Sequence, residues 1–212
     1  MHYLVRILIV CLVLCNIAKA EDISHDANDY DKKYLEPNSH DIVFGSAKAD
    51  NIVVEYFSLT CFHCASFFND VFPELKRDYI DTGQVKWIKR PFITDERALK
   101  ASLLLECKKK NMDAYTKFLA ILLSKQDAWV MNKNYIEILK NISKLSGMLE
   151  EEINKCLGDI KVAKRLTEET MTASKKLGVK VTPSFFLNDK LLKNGIGSKE
   201  LSDLSAKAKT GK

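Results

Sequence analysis

The run "NIVVEYFSL" (51–59) constrains the fold more than any other stretch of the chain. It is apolar on both faces, the pattern of a central strand buried on both sides, and a sheet built around it must be covered above and below. It runs into "SLTCFHCASFF" (58–68), where the spacing turns helical. Cys61 and Cys64 therefore stand at a corner where the chain leaves a sheet and enters a helix.

The rest of the chain falls around that strand. Residues 21–40 are polar and aperiodic and read as a flexible leader. "DIVF" (41–44) and "QVKWIKRPF" (84–92) are further strands. Between them, the helix that starts near Phe62 should kink at Pro73. The middle is helical: Leu99, Leu103 and Cys107 form one stripe, and "AYTKFLAILLSK", "YIEILKNISKL" and the Ile153, Cys156, Leu157, Ile160 set repeat the helical spacing. "VAKRLTEETMTASKKL" stops at Gly178. The chain then returns to strand in "VKVTPSFFLN" (179–188), turns at Asn188–Asp189, continues in "KLLKN", and ends in a helix with Ser198 as its cap. Strands at both ends and helices between describe one β-domain interrupted by a helical block.

The first twenty residues set the chemical environment of the thiols. "MHYLVRILIVCLVLCNIAKA" has an early charge at Arg6, a short apolar core and a small-x-small ending at Ala20. It reads as a secretory signal peptide cleaved after Ala20. The whole-chain charge of +5 falls to about +3 once Arg6 and Lys19 leave. The lysines are scattered among glutamates, with no basic stripe interleaved with aromatics, so nucleic acid is not the expected partner.

Two of the six cysteines leave with that peptide, and Cys61, Cys64, Cys107 and Cys156 remain. An even number in an exported chain points to disulfides. A four-cysteine zinc site draws its ligands in two close pairs, and there is one such pair here, so no metal is expected. A purely structural Cys61–Cys64 bridge would close too short a loop to constrain the unfolded chain much. On the new helix, Cys64, Phe68, Val71 and Leu75 share an apolar face, which covers Cys64 and leaves Cys61 as the accessible sulfur. A thiolate at a helix start faces unpaired N–H groups and the positive end of the dipole, and thiols so placed have pKa values of about 3.5–7.5. His63 adds a positive charge or a donor near the same sulfur. A stabilised thiolate means a stabilised reduced state, which favours an oxidant.

"EYFSLTCFHCASFF" after a buried strand, then an all-helical stretch, then "VTPSFFLN", resembles the DsbA-type thiol:disulfide oxidoreductases of bacterial periplasms over about residues 40–208. The resemblance implies an α/β thioredoxin fold over 41–212, with an inserted helical domain over approximately 95–160. It implies that Cys61 is the nucleophile and Cys64 the resolving thiol, joined as a redox disulfide in the oxidised form, with no cofactor. By motif match Pro183 is the cis-proline facing the dithiol, preceded by Thr182. Glu55, six residues before Cys61, is a buried acid suited to proton transfer with Cys64. A subset of α-proteobacterial members carries a second bridge, which implies a structural Cys107–Cys156 disulfide. The chain departs from the best-known members in having Phe–His between the cysteines, where they have Pro–His, and Thr182, where they have Val. Both positions touch the sulfurs and bear on oxidising strength.

The expected function is an exported oxidase of reduced, unfolded polypeptides, reoxidised by a membrane partner of the DsbB type in the periplasm. About 20 residues between the cleavage point and the first strand leave no room for a dimerisation module, so a monomer is expected. A disulfide reductase or isomerase, and a non-catalytic thioredoxin-like binding domain, are the alternatives.

Overall fold

The computed structural model describes residues 30–193 and 195–202. The expected signal peptide, its cleavage point and the first part of the expected leader lie outside the described residues. The elements in chain order are β1 (Ile42–Phe44), β2 (Asn51–Phe57), α1 (Phe62–Ser66), α2 (Phe72–Leu75), β3 (Val85–Pro91), α3 (Glu96–Glu106), α4 (Met112–Ser124), α5 (Gln126–Trp129), α6 (Tyr135–Leu145), α7 (Glu150–Leu157), α8 (Ile160–Leu177), β4 (Ser184–Leu187) and β5 (Lys190–Leu192). The strands form a mixed sheet in the order β1-β3-β2-β4-β5. β2 runs parallel to β3 and antiparallel to β4, placing it at the centre. This is a thioredoxin fold with a helical block between β3 and the returning α8.

The period of two along β2 divides its side chains between two cores. Val53 and Phe57 face α1, α2 and the helical block, together with Trp87 of β3 and Phe185 of β4. Val54 and Tyr56 face the other way, against Ala173 and Leu177 of α8. On the first face Phe67 lies 4.7 Å from Phe185 and 6.0 Å from Trp87, centroid to centroid, and Phe72 is 5.4 Å from Trp87. Each buried aromatic of this kind contributes about 1.5–3 kcal/mol, so this cluster anchors the redox helix to the sheet. Side chains mark the helix starts: Asp95 accepts from the Ala98 N–H, Asn111 from Ala114 and Asp159 from Val162.

Several expectations are corrected by what packs where. Residues 30–40 are not a flexible leader. Lys32–Leu35 form a 3₁₀ turn, Leu35 is buried beside Tyr30 and Tyr34 on the α8 face, and Arg90 reaches the carbonyls of Tyr34 and Glu36 at 2.6 and 2.7 Å. Three apolar side chains in a polar stretch suffice, because Arg90 holds their backbone. The strand expected over 179–188 is confined to Ser184–Leu187, because Pro183 offers no N–H to a ladder. The kink expected at Pro73 is a pair of wide turns with i→i+5 bonding, Phe67–Val71 and Lys76–Ile80, on either side of α2. Ser198 does not cap the last helical stretch, 198–202. Its hydroxyl donates to Glu74, and Glu200 accepts from the Gly197 N–H.

Candidate active site

β2 ends at Phe57, and four residues later Cys61 stands in extended conformation as the cap of α1. Its carbonyl accepts from the N–H groups of Cys64 and Ala65 at 3.0 and 3.2 Å, which opens the helix and turns the first N–H groups towards the sulfur. Cys61 is half-buried, Cys64 is buried, and both are free thiols. The Ser58 N–H points at the Cys64 sulfur, 3.5 Å away.

Across from the dithiol lies the loop before β4. The Thr182–Pro183 peptide bond is cis, and the Cys61 thiol donates to the Thr182 carbonyl at 3.1 Å. Phe62 and Val181 flank this point, 48% and 69% exposed, as an apolar rim. His63 is also exposed, one residue further along α1.

The two thiols are driven apart in acidity. Cys61 is lowered from 9.0 to about 5, first by a hydrogen bond from Cys64, then by the Thr182 side chain and by the backbone N–H groups of Cys64 and His63, against the opposing effect of burial. Cys64 is pushed far up, mainly by burial, then by its hydrogen bond to Cys61 and that sulfur's charge, and further by the charge of Glu55. His63 acts on Cys61 through its backbone N–H in this geometry.

Glu55 lies beneath the pair. On β2 it faces the redox helix, and the parallel register sets it opposite Lys89 of β3. Its Oε2 accepts from Lys89 Nζ at 2.5 Å and from Trp87 Nε1 at 2.8 Å, while Oε1 is buried without a partner. Lys89 Nζ also sits over the rings of Phe57 and Phe72, 4.9 Å from each centroid. Sequence reasoning missed Lys89. The available signal was a lysine on the same face of β3 as the apolar Val85 and Trp87, in register with the one carboxylate of β2.

Cys107 and Cys156 are joined, with Cα atoms 6.3 Å apart. The bond ties the end of α3 to α7, and Cys156 is its buried half. Among the described residues, no group of three or more His, Cys, Asp or Glu is placed to hold a metal ion, and no helix is long and apolar enough to cross a membrane.

A central strand delivering an accessible, acidic thiol and a covered, basic one to the start of a helix, opposite an X-Pro loop, defines a thioredoxin-fold dithiol protein. Comparison with known proteins narrows the class. A thioredoxin family model matches residues 37–204. A Rickettsia prowazekii (strain Madrid E) protein named as a protein-disulfide oxidoreductase is 37% identical over 175 residues, 79% of this chain and 64% of the relative. Disulfide bond formation protein D of Bacillus subtilis (strain 168) is 27% identical over 177 residues, 80% of this chain and 78% of that one. The crystal structure of Wolbachia pipientis alpha-DsbA1 has a TM-score of 0.75 at 31% identity, covering 83% of this chain and 94% of that one. The chain belongs to the DsbA-like thiol:disulfide oxidoreductases of the thioredoxin superfamily. It spans less than two thirds of the length of the first rickettsial relatives, 64% and 58% of two of them.

Proposed function

We propose that the protein is an exported dithiol oxidase that introduces disulfides into reduced, unfolded polypeptides. The observation that carries this reading is the split between the two sulfurs: Cys61 half-buried and held near pKa 5, Cys64 covered and pushed up. In the oxidised form, a substrate thiolate attacks the Cys61 sulfur, the Cys61–Cys64 bond breaks, and Cys64 leaves and takes a proton. A second substrate thiolate then attacks the substrate sulfur of the mixed disulfide. Cys61 departs as a thiolate, the better leaving group of the two. The substrate gains a disulfide and the enzyme keeps two electrons, which a membrane reoxidant of the DsbB type would remove.

Glu55 is the group proposed to exchange the Cys64 proton, supported by its free buried Oε1 and by the effect of its charge on that thiol. The support that His63 gives the Cys61 thiolate comes from its backbone N–H, and Thr182–Pro183 is proposed to offer its backbone to the incoming peptide. The rim of Phe62 and Val181 suits unfolded chains, whose apolar side chains are accessible. The signal-like first twenty residues support export to the periplasm, and the protein is proposed to act as a monomer.

The test is the Cys64→Ala variant expressed with the full leader. It should accumulate mixed disulfides with exported proteins through Cys61, and Cys61→Ala should accumulate none. Equilibration with glutathione then sets the direction. A potential well above about −270 mV, the value for thioredoxin, supports the oxidase, and one at or below it makes the protein a reductase.

A further inference from the structure

The turn that carries the nucleophile has little support from the sheet. β2 pairs with its neighbours as far as Phe57, and beyond it the backbone of Ser58–Cys61 is braced internally by the Cys61 N–H on the Ser58 carbonyl at 3.2 Å. Yet the position of the Cys61 sulfur depends on this turn, because its distances to Thr182 and to the N–H groups of α1 follow from where the backbone stops.

The helical block supplies what the sheet does not. Gln126, the first residue of α5, is 2% exposed, and its Nε2 donates to the carbonyls of Leu59 at 2.7 Å and Cys61 at 3.2 Å. These contacts join residues 67 and 65 positions apart in the chain. The Gln126 Oε1 is buried without a partner, a cost that an apolar side chain of similar size would avoid. The carboxamide is therefore useful for its donors. On the solvent side a second clasp holds the residue between those carbonyls. The Thr60 hydroxyl donates to Asp95 Oδ2 at 2.7 Å, and Asp95 is itself fixed as the cap of α3. Thr94 and Ser58 close the same hydroxyl cluster at 2.8 Å.

We propose that Gln126 is a positioning residue for the redox reaction: it pins the two carbonyls that flank Thr60, so that the helical block fixes the Cys61 sulfur against its stabilising donors, with the Thr60–Asp95 contact as the second arm of the clasp. This rests on the reading of Cys61 as the nucleophile. Pre-positioned donors act on a charge without reorganisation, so a turn that wanders loses thiolate stabilisation even when the fold is intact. The groups that face the Cys61 sulfur are Cys64 and the His63 N–H from α1 and Thr182 from the opposite loop, and none of them is altered by a change at Gln126.

The experiment uses the reduced protein and follows thiolate absorbance at 240 nm against pH, with thermal unfolding measured alongside. Wild type must first show one thiol titrating well below the ordinary range, and its absence would sink the oxidase reading rather than this one. In Gln126→Leu the midpoint should rise by about one pH unit, about a tenfold loss of thiolate on the acid side. An unchanged midpoint overturns the proposal whether or not the melting temperature falls, since Gln126 would then serve the fold alone. If Gln126→Leu does not fold, Thr60→Val decides by the same measurement. It keeps the side-chain shape, cuts the Asp95 contact, and should move the midpoint in the same direction, and no movement overturns the proposal.

Discussion

Glu55 and Lys89 face each other across the parallel β2–β3 pair, 2.5 Å from oxygen to nitrogen and each 1% exposed, directly beneath the redox helix. A buried ion pair is weak evidence for stability, because desolvation offsets the attraction, but removing one partner strands a charge in the core. Glu55→Ala should therefore cost about 3–5 kcal/mol in urea unfolding, and Lys89→Met a similar amount. The double change Glu55→Leu with Lys89→Met should recover most of that loss. If the double variant is folded but resolves mixed disulfides as fast as wild type, Glu55 has no part in moving the Cys64 proton.

Gly45 follows β1 directly, in the loop that leads to β2, at a φ of +88°. A Cβ there would come within 2.5 Å of the Val85 carbonyl oxygen and 2.9 Å of an Ile80 methyl. The first of these is backbone at the start of β3, held by its pairing with β2, and cannot step aside. Gly45→Ala should lower stability by about 3 kcal/mol or more, the left-handed strain and the clash acting together. Gly178 ends α8 at φ +68° with no atom within 4 Å of its missing Cβ. There Ala should cost about 1 kcal/mol, strain alone. Paired urea titrations of the two variants separate the contributions.

The Cys107–Cys156 bond closes a loop with a sequence separation of 49. In the chain-entropy account, a loop of that length stabilises by about 4 kcal/mol. The double change Cys107→Ser with Cys156→Ala should remove most of that in urea unfolding, with Cys61 and Cys64 kept oxidised in both proteins. A loss under about 1 kcal/mol would mean that the helical block holds its unfolded ensemble together without the bond.

The central strand and the redox corner were legible in the sequence because each has a local signature, an apolar run and a Cys-x-x-Cys spacing at a change of period, whereas the Thr-Pro before "SFFLN" pointed to a cis-proline only through the family resemblance. What was not legible depended on partners far along the chain. Lys89 looks like one of several charges in "QVKWIKRPF" until the register with Glu55 is known. Gln126 is an ordinary polar residue between two helices until its carboxamide is seen on the Leu59 and Cys61 carbonyls. Leu35 and the two tyrosines near it were hidden by a polar composition, and the Arg90 side chain that docks them comes from the middle of the sheet.

The split between the two thiols has a consequence for stability that differs between redox states. Cys61 titrates near 5 in the folded reduced protein, against 9.0 for an ordinary thiol. Between those values the folded chain carries the thiolate and the unfolded chain binds the proton, so the stability of the reduced form rises with pH across the window. It is fully gained above about pH 9 and lost as pH falls through about 5. Cys64, raised by burial, is protonated in both states below 9 and adds nothing in that range. The oxidised form has neither thiol. The difference in urea midpoint, reduced minus oxidised, should therefore be flat below about pH 4.5 and climb steadily to about pH 8.5. By the thermodynamic cycle, that same climb is the preference of the enzyme for holding electrons rather than a disulfide. A gap that stays level from about pH 5 to about pH 8 would mean that Cys61 is not ionised in the fold, and the oxidising direction would lose its physical basis.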